Sequence, residues 1–336
     1  MGLVMDFKMP TGLGFDLDVV VLGRAGLDLY PEPAGTKTQA AASFRSDLGG
    51  SAGNIAVALA RLGKRTGLIA PVSADPAGDF VKRVLAQEGV KHLTPEGLRD
   101  GSRTSLAIAE TRAHDCEVVI YRNQAADLAL TTDQIARVGV DRQASVLIAT
   151  GTALALEPSR SATLSALDAA AFTVLDLDYR AYTWDSAQVA RDVYAQALQQ
   201  TDLVVGNDDE FALLAGDQDP LTYARSLAPQ HELLIYKMGE RGAIAILPDG
   251  REEAFGIYQV PMLKPFGAGD AFMGGLIYSL QNREEVADSV RFGSACAALV
   301  VSTPGCASAM PRREDVLKFM KGQTSHPWVG NPNAPM

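Results

Sequence analysis

The sequence is poor in cysteine and in positive charge, and it lacks long apolar runs. Its three cysteines, Cys116, Cys296 and Cys306, do not have zinc-ligand spacing, and an odd number does not suit a disulfide framework. The 30 Lys and Arg residues are outnumbered by 40 Asp and Glu residues, and a net charge of −10 argues against nucleic acid as a partner. No stretch reaches the roughly 18 apolar residues of a membrane helix, and the first residues show no secretory pattern. These absences predict a reduced, cytoplasmic protein that binds neither nucleic acid nor membrane.

Three common catalytic motifs are also absent. There is no G-x-x-x-x-G-K-[ST] phosphate loop, since Gly63-Lys64 is followed by Arg65. The segment "GRAGLD" after the first apolar run lacks the G-x-G-x-x-G dinucleotide pattern, and no H-E-x-x-H occurs. The sequence therefore does not indicate a P-loop enzyme, a Rossmann dehydrogenase or a zinc protease.

The 336 residues instead show short apolar runs that alternate with helical patterns. The run Val19 to Leu22 is typical of a buried strand. Further along, Ile55, Leu59 and Leu62 share one helical face, and Gly63 is a natural helix stop. Because the alternation continues for most of the chain, it predicts an α/β fold with a mostly parallel sheet and helices on both faces.

Two stretches interrupt this alternation. Residues 28–49 show no helical pattern, and residues 101–125 resemble two extended segments around a polar turn. Since open α/β sheets bind ligands at the carboxyl ends of their strands, we expect these insertions to form a small β-lid over that edge. The predicted division is a core of residues 16–27, 50–100 and 126–320, a lid of residues 28–49 and 101–125, and tails of residues 1–15 and 321–336.

The stretch "PFGAGDAFMGG", residues 265–275, places small residues beside one carboxylate at the start of a helical pattern. Gly267, Ala268 and Gly269 would leave the unpaired amides of a helix N-terminus open to a phosphate group. Asp270 in the first turn can accept a proton from a hydroxyl that attacks phosphorus. The pattern indicates phosphoryl transfer to an alcohol, although a tight turn with a capping aspartate explains this stretch equally well.

The "GAGD" stretch, together with "GGSAGNIAVALARLG" at residues 49–63, resembles the two signatures of the ribokinase-like (PfkB-type) sugar kinases. The resemblance extends over residues 16–320. It implies a three-layer α/β/α sandwich with a small β-lid, and ATP as the phosphate donor. It also implies that Asp270 is the catalytic base and that Gly267 to Gly269 form the anion hole.

The same resemblance implies two further groups of site residues. On the nucleotide side it implies that Glu210 of the N-x-x-E motif places Mg²⁺, mainly through water, and that Asn207, Lys237, Gly239 and Gly242 lie near ATP. On the sugar side it implies contacts from Asp28, Gly49, Gly50 and Asn54. The simpler alternatives are an acidic helix start at Glu210, a solvated lysine at the end of a strand, and ordinary caps and turns.

Arg122 and Arg180 suggest that the substrate is a sugar acid, because a guanidinium pairs well with a carboxylate. The alternative is that each arginine pairs with a neighbouring aspartate such as Asp127 or Asp176. Within the family, the chain resembles the branch that phosphorylates the terminal hydroxyl of 5-dehydro-2-deoxygluconate in myo-inositol breakdown. The other candidates are the branch that acts on 2-keto-3-deoxygluconate, from which Ile120 departs, and a sugar-acid sensor without catalytic activity.

Two further expectations concern ions and assembly. Many family members carry an aspartate that helps to bind an activating K⁺, and here Lys264 stands at that position. Because an ammonium repels a neighbouring cation, the sequence predicts activity that does not depend on K⁺. Since exposed strand edges tend to pair, a homodimer through the lid is also expected.

Overall fold

The computed structural model describes residues 7–323 of the chain. The strands of this part are β1 (Val19–Leu22), β2 (Gly26–Glu32), β3 (Ser43–Gly49), β4 (Thr66–Ile69), β5 (Lys91–His92), β6 (Leu106–Ala109), β7 (Val118–Tyr121), β8 (Leu147–Thr150), β9 (Thr173–Asp176), β10 (Leu203–Asn207), β11 (Leu233–Lys237), β12 (Ala243–Ile246) and β13 (Glu252–Phe255). The helices are α1 (Ser51–Leu62), α2 (Pro76–Gln87), α3 (Thr132–Val138), α4 (Val140–Gln143), α5 (Ser159–Ala169), α6 (Ala187–Leu198), α7 (Asp208–Ala215), α8 (Pro220–Leu227), α9 (Ala268–Gln281), α10 (Val286–Val301) and α11 (Arg313–Gly322). The strand predicted at Val19–Leu22 and the helix that stops at Gly63 are both present.

The large sheet has the strand order β13-β12-β11-β10-β9-β8-β1-β4-β5. Within this order, the neighbouring strands β11-β10-β9-β8-β1-β4-β5 are parallel. Strands β12 and β13 add an antiparallel hairpin next to β11. Thr150 pairs with Asp176 and Asn207 pairs with Lys237 at the last residues of their strands. Polar residues from four neighbouring strands therefore meet at one edge of the sheet.

Alternate residues of each core strand face opposite helix layers. In β1, Val19 and Val21 pack in a cluster with α1, α2, α9, α10 and α11, whereas Val20 and Leu22 pack in a cluster with α3 to α8. Burial on both faces explains why the strand is a continuous apolar run rather than an alternating one. The predicted three-layer α/β/α sandwich with a mostly parallel sheet is confirmed.

A second, smaller sheet has the order β3-β2-β6-β7. Its strands lie within residues 26–49 and 106–121, so both insertions contribute to it. β2 continues directly from the loop after β1, and Gly49 at the end of β3 leads into α1. These connections hold the small sheet beside the polar edge of the large one.

Helices α1 and α9 approach each other closely at their N-terminal ends. A Cβ at Gly274 of α9 would lie too close to the Cβ of Ala58 in α1. Each helix follows a glycine with positive φ, 90° at Gly50 and 83° at Gly267, a conformation that other residues rarely adopt. The first turns face each other, since Ser51 and Asn54 of α1 donate hydrogen bonds to Asp270 of α9.

The outer parts of the predicted tails, residues 1–6 and 324–336, lie outside the described residues. Among residues 7–323, none of the helices is long and apolar enough to cross a bilayer.

Candidate active site

A cavity of about 520 Å³ lies between the small sheet and the polar edge of the large sheet. Its walls combine charged groups from the core with apolar residues of β6 and β7, among them Ala107, Val118, Val119 and Ile120. Seven of the predicted site residues line it: Asp28, Gly50, Asn54, Arg122, Arg180, Gly267 and Asp270. The fold therefore brings together residues that are up to 242 positions apart in the sequence (Asp270 minus Asp28).

Asp270, in the first turn of α9, is held by two side chains from the first turn of α1. The Ser51 hydroxyl donates to its Oδ1 at 2.6 Å, and the Asn54 amide nitrogen donates to its Oδ2 at 2.7 Å. Each carboxylate oxygen accepts one side-chain hydrogen bond, which leaves acceptor capacity for a further proton donor. The carboxylate is thus fixed in orientation and still able to act as a base.

The electrostatic surroundings increase the basicity of Asp270. Burial raises its pKa and the charge of Asp178 raises it further, while Ser51, Asn54 and Arg180 act in the opposite direction. A carboxylate whose pKa lies above its ordinary value accepts a proton more readily near neutral pH. This matches the requirement for a general base.

A second cavity of about 210 Å³ lies on the other side of the first turn of α9. Its lining includes the four predicted nucleotide residues Asn207, Lys237, Gly239 and Gly242, together with Ala268 and Gly269. Gly267 and Asp270, by contrast, line the first cavity. One helix N-terminus therefore separates two cavities and contributes residues to both.

Glu210 has a structural partner as well as a place near this site. Asn207 Oδ1 accepts a hydrogen bond from the Glu210 amide, and Glu210 Oε2 accepts one at 2.7 Å from the Asn207 amide. This capping box starts α7 directly after β10. The simpler sequence-based alternative, an acidic helix start, is therefore present in addition to any role with a metal.

Four buried carboxylates interact electrostatically at the ends of β9 and β10 and at α9: Asp176, Asp178, Glu210 and Asp270. Burial raises the pKa of Asp176 to about 8, where Glu210 and Asp178 add to the shift and Lys237 opposes it. Burial also raises the pKa of Glu210. An excess of buried negative charge suits a divalent cation, which would relieve the repulsion.

No three His, Cys, Asp or Glu side chains within residues 7–323 are grouped as a ligand set for a metal. Mg²⁺ differs from zinc in this respect, because it usually keeps several water ligands and uses one or two carboxylates plus substrate phosphates. The donor chemistry of Glu210 and its acidic neighbours therefore fits Mg²⁺ carried in with a nucleotide.

Asp28 and Asn54 each present an unsatisfied buried oxygen in the first cavity. Asp28 Oδ2 accepts a hydrogen bond from the Tyr30 hydroxyl at 3.2 Å, while Asp28 Oδ1 and Asn54 Oδ1 have no partner among the described residues. Such atoms are costly to bury unless a ligand or water supplies a donor. A Cβ at Gly49 would overlap Asp28 Oδ1, so the absence of a side chain there makes room for this carboxylate.

Both arginines predicted to bind a sugar acid line the cavity, and both are already paired. Arg122 is buried and donates to Asp127 Oδ2 through Nε at 2.9 Å and through Nη2 at 2.5 Å. Arg180 is half-exposed, and its Nη2 lies 2.8 Å from Asp178 Oδ1. The alternative of a neighbouring aspartate partner thus holds for Arg122 with Asp127, and for Arg180 with Asp178 rather than Asp176.

The backbone at Asp178 has a positive φ of 33°, a region in which Asn and Asp are several-fold enriched over other residues. An aspartate suits this conformation.

Sequence reasoning missed Arg24, Ser51 and Thr152, which all belong to the first cavity. Ser51 lies inside the quoted glycine-rich signature, three residues before Asn54. This spacing places both side chains on one face of the helix and could have identified Ser51 as a site residue. Arg24 lies within "GRAGLD", the segment that also contains Asp28, but no role was assigned to the arginine.

Lys264 is completely buried beside Gly267 at the start of α9. Its Nζ donates to the Phe266 carbonyl at 2.8 Å, one residue before Gly267. Burial lowers its pKa, while Cys306, Asp270 and Asp47 act in the opposite direction. The ammonium thus lies where it can steady the loop that leads into α9.

Comparison with known proteins gives a consistent result. The family model for pfkB family carbohydrate kinases matches residues 16–313. A curated relative from Photobacterium profundum, named 5-dehydro-2-deoxygluconokinase, is 40% identical over 315 residues, which cover 91% of this chain and 95% of the relative.

Solved structures agree on the fold. A putative ribokinase II from E. coli is 20% identical with a TM-score of 0.83, and the match covers 91% of this chain and 99% of that one. A double-mutant fructokinase from Vibrio cholerae, solved with fructose, ADP and potassium ion bound, is 25% identical with a TM-score of 0.76, covering 90% and 98% of the two chains. The match over residues 16–313 and the 40% identity, added to the site geometry, show that this chain belongs to the pfkB family of carbohydrate kinases.

Proposed function

We propose that this enzyme transfers the γ-phosphoryl group of ATP to the terminal hydroxyl of 5-dehydro-2-deoxygluconate. The observation that carries the proposal is the first turn of α9, which separates the two cavities. Asp270 belongs to the larger cavity, and Ala268 and Gly269 belong to the smaller one. This arrangement suits an acceptor sugar on one side and a nucleotide on the other, with the reacting phosphate between them.

The proposed reaction begins with Asp28 and Asn54, whose unpartnered oxygens would accept hydrogen bonds from sugar hydroxyls. Gly49 leaves space for the Asp28 carboxylate, and Gly50, Arg122 and Arg180 line the same cavity. Asp270, oriented by Ser51 and Asn54, would take the proton of the terminal hydroxyl as its oxygen attacks the γ-phosphorus. The amides of Gly267 to Gly269 would stabilise the negative charge that develops on the phosphoryl oxygens.

On the nucleotide side, Lys237 and the glycines Gly239 and Gly242 would lie along the phosphates, and Asn207 lines the same cavity. Glu210 would hold Mg²⁺, mainly through water, in the surroundings of Asp176 and Asp178. Bound Mg²⁺ supplies charge neutralisation and alignment of the transferring phosphate. Lys237 Nζ lies 3.7 Å from Asp176 Oδ1, so the lysine is already oriented towards this acidic group.

The residues of the small sheet would act as a lid that excludes water from the transfer step. Val118, Val119 and Ile120 of β7 line the cavity and are apolar, as this role requires. Limiting the access of water would keep ATP hydrolysis slow relative to transfer to the sugar.

The substrate is best tested by measuring ATP- and Mg²⁺-dependent phosphorylation of three acceptors side by side. We expect the highest kcat/KM with 5-dehydro-2-deoxygluconate, a lower value with 2-keto-3-deoxygluconate, and the lowest with the neutral sugar ribose. The relative from Photobacterium profundum is named for the first of these compounds. Preference for 2-keto-3-deoxygluconate would assign the enzyme to that alternative, and preference for ribose would contradict the sugar-acid proposal.

A folded protein that binds the sugar acid and ATP but transfers no phosphate would support the sensor alternative. The orientation of Asp270 by two hydrogen bonds argues for turnover, because binding alone needs no base.

We also propose that two copies pair through their lids. The edge strand β7 exposes Val118, Val119 and Tyr121, with exposed fractions of 45%, 47% and 56%. Apolar residues on an unpaired edge are a common site of association. Replacing Val119 with Lys should convert a dimer into a monomer in analytical ultracentrifugation, and a wild-type protein that sediments as a monomer at micromolar concentration would contradict the proposal.

A cytoplasmic location is proposed on the basis of chemistry. The substrate ATP is available there, and all three cysteines are free thiols, which suits a reducing compartment. Fractionation of the source cells, with antibody detection of the protein, would test the location.

A further inference from the structure

Three arginines line the large cavity, and Arg24 differs from the other two. It lies between β1 and β2, and only 9% of the residue is exposed. Its Nη1 donates a hydrogen bond to the Ser105 hydroxyl at 3.1 Å. No carboxylate oxygen among the described residues lies within 4.0 Å of the Arg24 guanidinium nitrogens, the limit for an ion pair. Arg122 and Arg180, in contrast, are each paired with an aspartate.

A guanidinium has five N–H donors, and one neutral acceptor leaves most of its capacity unused. An almost fully buried cation without an ion-pair partner is costly, because its lost hydration is not replaced. Asp28 is near enough to influence it electrostatically, yet no ion pair forms between them. The unused N–H groups of Arg24 are therefore available to a ligand in the cavity that Arg24 lines.

The backbone of Arg24 is fixed, so the side chain has a defined origin. Its carbonyl accepts a hydrogen bond from the Gly53 amide at 3.1 Å, in the first turn of α1. The same turn carries Ser51 and Asn54, which hold Asp270. The position of Arg24 is therefore tied to the position of the base.

We propose that Arg24 binds the carboxylate of the sugar acid and thereby selects acids over neutral sugars, an inference that rests on the sugar-acid kinase function proposed above. Arg122 and Arg180, whose charges already have partners, shape the cavity and supply at most their remaining N–H groups. A carboxylate is favoured over a neutral group because it offers a bidentate, charged acceptor to the planar guanidinium.

The test compares the acid with its neutral carboxamide as acceptor for the wild-type enzyme and for Arg24→Met. We expect the KM for 5-dehydro-2-deoxygluconate to rise about 30- to 100-fold in the variant, as for loss of a buried charge pair. The KM for the carboxamide should rise much less than the KM for the acid, because only the effect of Arg24 on the Asp28 carboxylate is shared by the two acceptors. The KM for ATP and the kcat with the acid should each change less than about threefold, since the contact is remote from the reacting hydroxyl. The exposed Arg137, outside the cavity, provides the matched control Arg137→Met.

A binding measurement separates this role from a structural one. The acid should raise the melting temperature of the wild-type enzyme without ATP, and this rise should be lost in Arg24→Met but kept in Arg137→Met. If Arg24→Met does not fold, Arg24→Lys provides the test, because it keeps a positive charge but loses the planar guanidinium. The KM for the acid should then rise about tenfold, while the KM for the carboxamide stays unchanged.

The outcomes distinguish the two proposals. Wild-type enzyme that phosphorylates no sugar acid would overturn the proposed function itself. The role of Arg24 alone would be overturned if the wild-type enzyme prefers the acid and the Arg24→Met variant keeps that preference. It would also be overturned if the variant loses activity equally with the acid and with the carboxamide.

Discussion

Asp28 offers a quantitative test because burial has altered its acidity. The carboxylate is 6% exposed, and only its Oδ2 has a hydrogen-bond partner, the Tyr30 hydroxyl. Burial raises its pKa from 3.8 to about 6, with Asp47 and Asp270 adding to the shift and Arg24 and Tyr30 opposing it. The perturbation is Asp28→Asn, which keeps the shape and the acceptor for Tyr30 but cannot ionise.

The sign of the effect follows from the direction of the pKa shift. Because the folded-state pKa lies above the unfolded value, the folded protein binds the proton more tightly. The contribution to stability is fully present below pH 3.8 and is lost as the pH rises through about 6. At about 1.4 kcal/mol per pKa unit, ionised Asp28 costs about 3 kcal/mol at pH 8.

The assay is denaturant unfolding of the wild-type and variant proteins, followed by tryptophan fluorescence at two pH values. Shared pH effects cancel in the difference between the two proteins. The free energy of unfolding of the variant, relative to the wild type, should increase by about 2 kcal/mol between about pH 4.5 and pH 8. The exposed Asp168, replaced by Asn, should show no such increase.

The same substitution that stabilises the protein at pH 8 should lower its activity. The neutral amide is a weaker acceptor for a sugar hydroxyl than the carboxylate, so kcat/KM should fall about 10- to 100-fold at pH 8. A stability difference that does not depend on pH would refute the argument from burial. An unchanged kcat/KM would remove Asp28 from the sugar site.

Three further predictions concern the base, the metal and the buried lysine. Asp270→Asn should lower kcat by at least about 10²-fold while the dissociation constant for ATP changes little, and unchanged kinetics would exclude Asp270 as the base. Glu210→Gln keeps the capping box but loses the charge, so the Mg²⁺ concentration for half-maximal rate should rise with little change in melting temperature; an unchanged Mg²⁺ requirement would contradict its role. The rates in KCl and in choline chloride should agree within about twofold because Lys264 supplies the positive charge, and a large activation by K⁺ would contradict this.

Local features of the fold were predictable from the sequence. The apolar run Val19–Leu22 forms β1, and Gly63 ends α1 in a left-handed conformation. The small residues of 267–269 begin α9 as expected. Each of these features depends on neighbours within a few positions, which is the range over which periodicity and glycine carry information.

The site was predictable only in part, since its contacts join distant segments. Asp270 was identified from its own turn, but its partners Ser51 and Asn54 are more than 200 residues away, and the resemblance to a family was needed to bring Asn54 near it. Arg122 was expected to meet a substrate carboxylate, and the fold places the Asp127 carboxylate against it instead. The sequence separation between Arg122 and Asp127 could not decide whether the arginine pairs with this aspartate or with a substrate. Both pairings are compatible with a lid strand followed by a short turn.

The small sheet shows the same dependence on distant contacts. Asp47 of β3 accepts hydrogen bonds at its Oδ2 from the Cys306 amide, the Ser308 amide and the Ser308 hydroxyl, all in the segment after α10. A buried carboxylate that no sequence motif marks thus helps to join the β3 side of the small sheet to the core. These hydrogen bonds hold the β3 side of the small sheet to the core, whereas the apolar residues of β7, at its other side, line the cavity.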